Sequence, residues 1–499
     1  MTDSSPPQQQ QEQEHSAVQE LFHKHLQEYP IPLQFPATVG SIDESKKART
    51  SSDLINFRLI EAGVLFDETG LQSVGDLVQA TDRLVLNLQQ SGCFHNVQVR
   101  ILQEEQTNKI HVALDERNWY KLYIGGGIKN DGAILIGDSD SFIPKLQFET
   151  RGSLVNLQGL LDVTALEYCV DQTSATSVRL THDRPLYTLF PLESRIRDAI
   201  IEASSEVNVK LKAELDTVDH EWTRSYKEFH RTLGLAISSS RTVRPEMAPN
   251  GYLGLDWNMT WRDLIPRRHD DYTMNASPEI IQQSGPSLKH SLVLETRTNG
   301  ALCDDRFNPT QGLDLNAKIE VAGPPGDVGF VKVEGGAAIH YPMTDWLSLH
   351  TMLNGGCISP LAYGGLCQGP AVSDKFFIGG PMPLRGFVPA GIGPRAKTGG
   401  TSTPHGDALG GDLFYTATLA ASTPVYNGIR LFGFANAGTL TGMNVPLPAI
   451  VLSTRAAVGA GVSMGTGMGR LEATYAWPIR YGPRDARRAL QFGFGFNIG

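Results

Sequence analysis

Arg385 stands between Pro381-Met382-Pro383 and Gly386, turn-forming residues that hold a guanidinium out from a tight loop tip. Inside a protein that guanidinium needs a carboxylate or carbonyl partner. In water it is an ordinary solvated arginine, the commoner case for a loop. A candidate acid follows from alternation. Leu471, Ala473, Tyr475 and Trp477 share one strand face, which puts Arg470, Glu472, Thr474 and Ala476 on the other. Ala456, Val458, Ala460, Val462 and Met464 likewise leave Arg455 on the polar face. Glu472 is therefore the first candidate partner for Arg385.

Other constellations carry less. Gly459-Ala460-Gly461-Val462-Ser463-Met464-Gly465 has the glycine content of a phosphate loop. No Lys-Ser/Thr follows it and no helix is available to receive a phosphate, so small residues on an inward strand face account for it better. His182-Asp183 has no nucleophile elbow, and His220, His230, His340 and His350 have no ligand spacing. The five cysteines, Cys93, Cys169, Cys303, Cys357 and Cys367, contain no C-x-x-C pair and are odd in number. No metal, no cofactor and no covalent catalysis are expected, and the thiols are expected to be free.

The net charge of -10, from 43 Lys+Arg against 53 Asp+Glu, argues against a nucleic-acid partner. No run of ~18 apolar residues marks a membrane helix. The N-terminus has no apolar core of a secretory signal and no Arg before Arg49, so neither a signal peptide nor a cleaved transit peptide is expected. Residues 1–33 are polar and rich in Gln and Glu, and read as a disordered tail. Residues 34–118 read as a small α+β domain. One helix starts after Ser51 with Asp53 in its first turn and stops at Gly63; a second starts after Ser73 and ends at Gly92. Strands follow at Val97–Leu102 and Ile110–Leu114, with an earlier one near Ala37–Ile42, giving two helices on a three-stranded sheet.

From residue 121 to residue 499 the pattern is period two. Leu255, Trp257, Met259 and Trp261 interleave with Asp256, Asn258, Thr260 and Arg262. Leu490, Phe492, Phe494, Phe496 and Ile498 interleave with Gln491, Gly493, Gly495, Asn497 and Gly499. A soluble sandwich with oily faces inside and a barrel with oily faces in lipid both use this alternation. Charged polar faces, segments near the ~9–11 residues of a tilted spanning strand, and a bare final strand favour the barrel. Sixteen strands would take ~24 residues each, turns included.

Several stretches carry a family likeness. Leu88-x-x-Ser91-Gly92-Cys93-Phe94-x-x-Val97-x-Val99 resembles the helix-to-strand junction of a polypeptide-transport-associated (POTRA) domain. Asp304-Asp305-Arg306-Phe307-Asn308-Pro309-Thr310-Gln311-Gly312 resembles a barrel segment of the outer-membrane protein assembly superfamily, also called the bacterial surface antigen family. Phe377 to Phe387, with Leu384-Arg385-Gly386-Phe387 at its core, resembles that superfamily's inward-folded sixth loop, and Phe434-Ala435-Asn436-Ala437-Gly438 the strand after it. Leu384 stands where Val or Ile is more usual. With one POTRA domain and no leader, the chain is most similar to the central barrel subunits of the mitochondrial sorting and assembly machinery.

The resemblance implies an all-β transmembrane barrel of about sixteen antiparallel strands after one small α+β domain. It also implies a place in the mitochondrial outer membrane, with the POTRA domain in the intermembrane space. The implied work is insertion of β-barrel precursor proteins, alongside accessory subunits and membrane lipid, by templating at a lateral seam. That seam would join Leu122, Ile124, Gly125, Gly126 and Gly127 of the first strand to Gln491, Gly493, Phe494, Phe496 and Ile498 of the last. The glycines would weaken packing there, and the last strand fits the superfamily's C-terminal β-signal. A passive outer-membrane channel, or a polypeptide translocase of plastid or bacterial type, is the alternative.

Overall fold

A computed structural model describes residues 30–43, 46–64, 71–104, 107–135, 142–171, 175–190, 207–239, 251–267, 276–298, 300, 302–305, 308–397, 406–426, 428–466 and 469–496. The reading of residues 1–29 as a tail therefore lies outside the described residues. The chain divides into two compact units. The first comprises Met1–Lys121 with Ser153–Thr164 and Asp183–Ser205; the second comprises Leu122–Gly152, Ala165–His182 and Glu206–Gly499.

In the first unit a four-stranded sheet has the order β2-β1-β4-β3. Its strands are β1 (Pro30–Ser41), β2 (Leu71–Ser73), β3 (Phe94–Glu104) and β4 (Thr107–Glu116). β1 starts four residues before the expected boundary, so residues 30–33 belong to the sheet. The sheet has four strands rather than three because Leu71–Ser73 pairs with Pro30–Pro32, in the three residues that end on a helix cap. β1 runs parallel to β4, which also pairs antiparallel with β3.

Helices α1 (Ser52–Ala62) and α2 (Val74–Gln90) follow the capping rules. Ser51 accepts from Asp53 N–H, Ser73 accepts from Asp76 N–H, and Gly63 ends α1 at φ +103°. Leu59, Leu84, Leu88, Ile110 and Leu114 are fully buried between helices and sheet. Val155, Leu161 and Tyr187, from the two later segments, complete this core, and Tyr187 stacks on Phe57 with ring centroids 4.2 Å apart. Glu116 ties β4 to the start of α1 by accepting from Arg49 N–H (3.0 Å) and Thr50 N–H (2.8 Å). Burial alone would raise its carboxyl, but the Thr50 and Arg49 donors hold it below the usual value.

The second unit is a closed barrel. Its strands are β5 (Tyr120–Leu135), β6 (Phe142–Val155), β7 (Val163–Asp171), β8 (Thr176–Pro185), β9 (Val207–Asp219), β10 (Tyr226–Ser239), β11 (Tyr252–Pro266) and β12 (Gly285–Arg297). A two-residue β13 (Leu302–Cys303) precedes β14 (Gly312–Ala322), β15 (Phe330–Thr344), β16 (Leu347–Pro360), β17 (Leu413–Tyr426), β18 (Ile429–Thr441), β19 (Arg455–Thr466), β20 (Gly469–Arg480) and β21 (Leu490–Phe496). Setting β13 aside leaves sixteen staves among the described residues. The first stave, β5, extends to Leu135. Closure comes from β21 lying next to β5.

The amphipathicity is inverted relative to a soluble fold, and this decides between sandwich and lipid barrel. Leu211, Leu215, Leu233, Trp257, Leu419 and Trp477 are exposed, while Arg262, Glu320, Thr418, Asn436, Glu472 and Gln491 are buried. Water on the outside would leave that apolar belt unburied, whereas lipid satisfies it. No helix among the described residues is long and apolar enough to cross a membrane.

The structure places none of the five cysteines in a disulfide. Cys367 points its Sγ at Gly326 O (3.4 Å). Thiol titration of denatured, unreduced protein is expected to give five equivalents per chain; three would reveal one native disulfide.

Candidate functional site

Between β16 and β17, the described residues 361–397 and 406–412 fold inward and bring the Leu384–Phe387 tip against the lumen wall. Three features shape that tip. Leu384 and Phe387 are fully buried in an apolar cluster with Phe330, Phe376, Ile378 and Leu440. Gly386 has φ +91°, and a Cβ there would lie 3.0 Å from the Ala457 methyl, so geometry and space both demand glycine. Arg385 then projects onto the wall with its side chain 5% exposed.

Arg385 Nη2 reaches Glu472 Oε2 at 2.6 Å, and Arg470 Nη2 reaches the other oxygen at 2.8 Å. The acid chosen from the alternation of β20 is thus the one the loop meets. Arg455, also predicted to face inward, instead pairs with Asp485 (2.9 Å). Phe432 and Phe434 of β18 lie beside the guanidinium, with ring centroids 5.5 and 5.1 Å from Arg385 Cζ. Those rings lie on Gly461 and Gly459 of β19, where a Cβ would come within 2.8 and 2.7 Å of them. The glycine run that could suggest a nucleotide loop is the floor beneath these two rings.

The inward face of Phe434-Ala435-Asn436-Ala437-Gly438 meets the tip three times. Phe434 faces the guanidinium. The Asn436 carboxamide accepts from Arg385 N–H (2.7 Å) and donates to Ala457 O (3.0 Å). At Gly438 a Cβ would meet the Leu384 side chain at 3.3 Å.

A second anchor, of opposite polarity, holds the base of the loop. Asp374 receives a bidentate pair from Arg262 of β11 (2.9 and 2.9 Å) and a third bond from Lys289 of β12 (3.1 Å). Lys289 also pairs with Glu320 (2.6 Å), and Lys332 donates to Asp374 O (3.0 Å). Further along, Asp407 accepts from Ser225 Oγ (2.5 Å) and Ser277 N–H (2.8 Å).

The Omp85 superfamily domain matches residues 187–498, more than half of the chain. This protein belongs to the Omp85 superfamily. Among its relatives, the sorting and assembly machinery component 50 homolog of Mus musculus is 29% identical over 265 residues, 48% of this chain and 51% of that one. The SAM50-like protein of Schizosaccharomyces pombe is 30% identical over 260 residues, 49% and 51% of the two chains. The chain thus matches about half the length of these curated relatives. BamA from Haemophilus ducreyi lacking POTRA domains 1-3 superposes with a TM-score of 0.68 at 16% identity, covering 93% of this chain and 84% of that one, a likeness of fold.

The remaining predicted residues of this Omp85 chain lie at the barrel's closure. Leu122, Ile124, Gly125, Gly126 and Gly127 are on β5; Gln491, Gly493, Phe494 and Phe496 are on the adjacent β21. Ile498 lies outside the described residues. Gly125 does more than weaken packing, because a Cβ on it would collide with the Tyr123 ring, which lies along the strand in the space glycine leaves. Gln491 and Gly493 turn inward and touch the sixth loop. Gln491 bonds the backbone of Gly386 and Phe387, and a Gly493 Cβ would lie 3.1 Å from Pro381.

At the opposite end of the barrel, Asp304 organises the Asp304–Gly312 turn by accepting from Thr310 N–H (2.8 Å), Gln311 N–H (3.0 Å) and the Thr310 hydroxyl. Arg306 and Phe307 of that segment lie outside the described residues. Burial alone would raise the Asp304 carboxyl, but the Thr310 hydroxyl and the backbone donors hold it at about 2. These bonds therefore contribute fully above its unfolded value and are lost only as pH falls through about 2.

Proposed function

We propose that this chain inserts β-barrel precursor proteins into the mitochondrial outer membrane by templating their strands at the β21–β5 seam. The observation that carries this reading is the closure itself. The barrel closes where its last strand, β21, meets its first, β5, so these two strands, joined by no turn, are the pair that can part without straining a connecting loop. An unpaired strand edge is a template for another strand. A precursor in lipid exposes N–H and C=O groups that cost several kcal/mol each if unsatisfied. Pairing at a parted seam satisfies them one strand at a time, with no covalent step and no cofactor.

The names of the relatives support the assembly role, and membership of the superfamily supports a membrane insertase. Accessory subunits and membrane lipid are the further partners in this reading, with the α+β unit in the intermembrane space. A loop held inside the lumen by two buried charge clusters counts against a wide passive pore.

Purified protein in liposomes, given a urea-unfolded β-barrel precursor, tests the reading. Protease-protected, heat-modifiable precursor should accumulate faster than in empty liposomes. Equal rates, with stable single-channel conductance, would replace it with the passive channel.

A further inference from the structure

The closing strand has a sequence that does not define its own alignment. Phe492-Gly493-Phe494-Gly495-Phe496 repeats with period two. A one-residue slip against β20 would turn every Phe into the lumen and is excluded by burial. A two-residue slip would put Phe opposite the same kind of neighbour and Gly against the lumen, almost unchanged. Yet one register is observed, with Ala473 opposite Phe492, Glu472 opposite Gly493 and Thr474 opposite Gln491.

Gln491 breaks the repeat. Its side chain is buried and makes two bonds at once: Oε1 accepts from Gly386 N–H (2.8 Å), and Nε2 donates to Phe387 O (2.8 Å). A carboxamide carries its acceptor and its donor on two separate atoms and so can do both. Slipping one way would replace Gln491 by Gly493 and strip Gly386 N–H of this acceptor. Slipping the other way would drive Gln491 into the place of Gly493, where even a Cβ would lie 3.1 and 3.3 Å from Pro381 and 3.5 Å from Met382 Sδ. The loop thus accepts a carboxamide at one position and glycine two residues on.

We propose that Gln491 is the positioning residue that sets the register of the closing strand, by seating its carboxamide on the sixth-loop backbone, and so aligns β21 at the seam with β5. The consequence for insertion rests on the function proposed above; the register itself does not.

Disulfide mapping in detergent micelles separates the two. Directly opposed residues are within disulfide reach, whereas diagonal neighbours at ~7–8 Å are too far apart. With Gln491 in place, oxidation should link Ala473→Cys to Phe492→Cys and leave Ala473→Cys with Phe494→Cys unlinked, as identified by mass spectrometry of the joined peptides. Gln491→Leu should raise the 473–494 link at least tenfold. The transposed variant, Gln491→Gly with Gly493→Gln, moves the carboxamide two residues along without changing composition, and should make 473–494 the dominant link. Retention of the 473–492 link alone, in the transposed variant or in Gln491→Leu, overturns the proposal. The same variants in the precursor assay read the other question. A slipped register with unimpaired insertion supports the positioning role and removes seam alignment from the insertion mechanism.

Discussion

Locking β5 to β21 with a disulfide should abolish precursor insertion while leaving the barrel folded. Cysteine pairs formed from Tyr123 or Ile124 with Phe494 or Phe496 place one thiol on each of the two adjacent strands. At least one of the four pairs should oxidise in the resting protein, and the locked form should keep its heat-modifiable mobility. Insertion should fall to the rate of empty liposomes and return on reduction. The expected effect is large because a template edge that cannot part offers no backbone groups to a newcomer. Ion conductance, by contrast, should be unaffected by the lock, since the lumen is unchanged. A locked barrel that still inserts precursors at the reducible rate would exclude the seam as the route.

Arg385→Ala should produce the largest loss of integrity of any single substitution in the sixth loop. Glu472 is buried, and its carboxylate is shared between Arg385 and Arg470. Removing Arg385 leaves half of that charge uncompensated in a site walled by Phe432 and Phe434, at a cost of about 3–5 kcal/mol for a broken buried pair. The expected result is a barrel that assembles but whose loop is cut by protease at concentrations the parent resists, with insertion reduced in parallel. Glu472→Gln removes the carboxylate that both guanidinia share, so it should loosen the loop as well. A double-mutant cycle of Arg385→Ala and Glu472→Ala should show coupling well above 1 kcal/mol. Simple additivity would assign the loop's position to Asn436 and Gln491 instead.

How much of this was legible depended on whether a residue's direction follows from its neighbours. In β20 strict alternation around Glu472 points its carboxylate inward, and turn residues on both sides of Arg385 point the guanidinium out of its loop, so the pair can be guessed across a separation of 87 positions. Arg262 faces inward by the same rule, between Trp261 and Asp263 of β11. Its partner Asp374 sits 112 positions away in a loop with no period, so the second anchor could not be read. The caps of α1 and α2 were readable because capping is local. β2 was not, because three residues are too few to show alternation. Phe432 and Phe434 could have been found. They face the same way as Asn436, and the glycines of β19 alternate opposite them, which marks rings lying flat across a wall.

The two anchors of the sixth loop also bear on how the chain folds. Along the loop the acid comes first and the base second: Asp374 goes to Arg262 and Lys289, and Arg385 goes to Glu472. A loop threaded into the lumen the wrong way round would set Arg385 against Arg262 and Lys289, and Asp374 against Glu472. Like charges brought together in a confined, poorly hydrated space repel strongly, so the reversed passage is rejected electrostatically before packing is tested. The order of these two charges should therefore mark direction during assembly, and exchanging them without exchanging their partners should trap the loop outside a barrel that is otherwise complete.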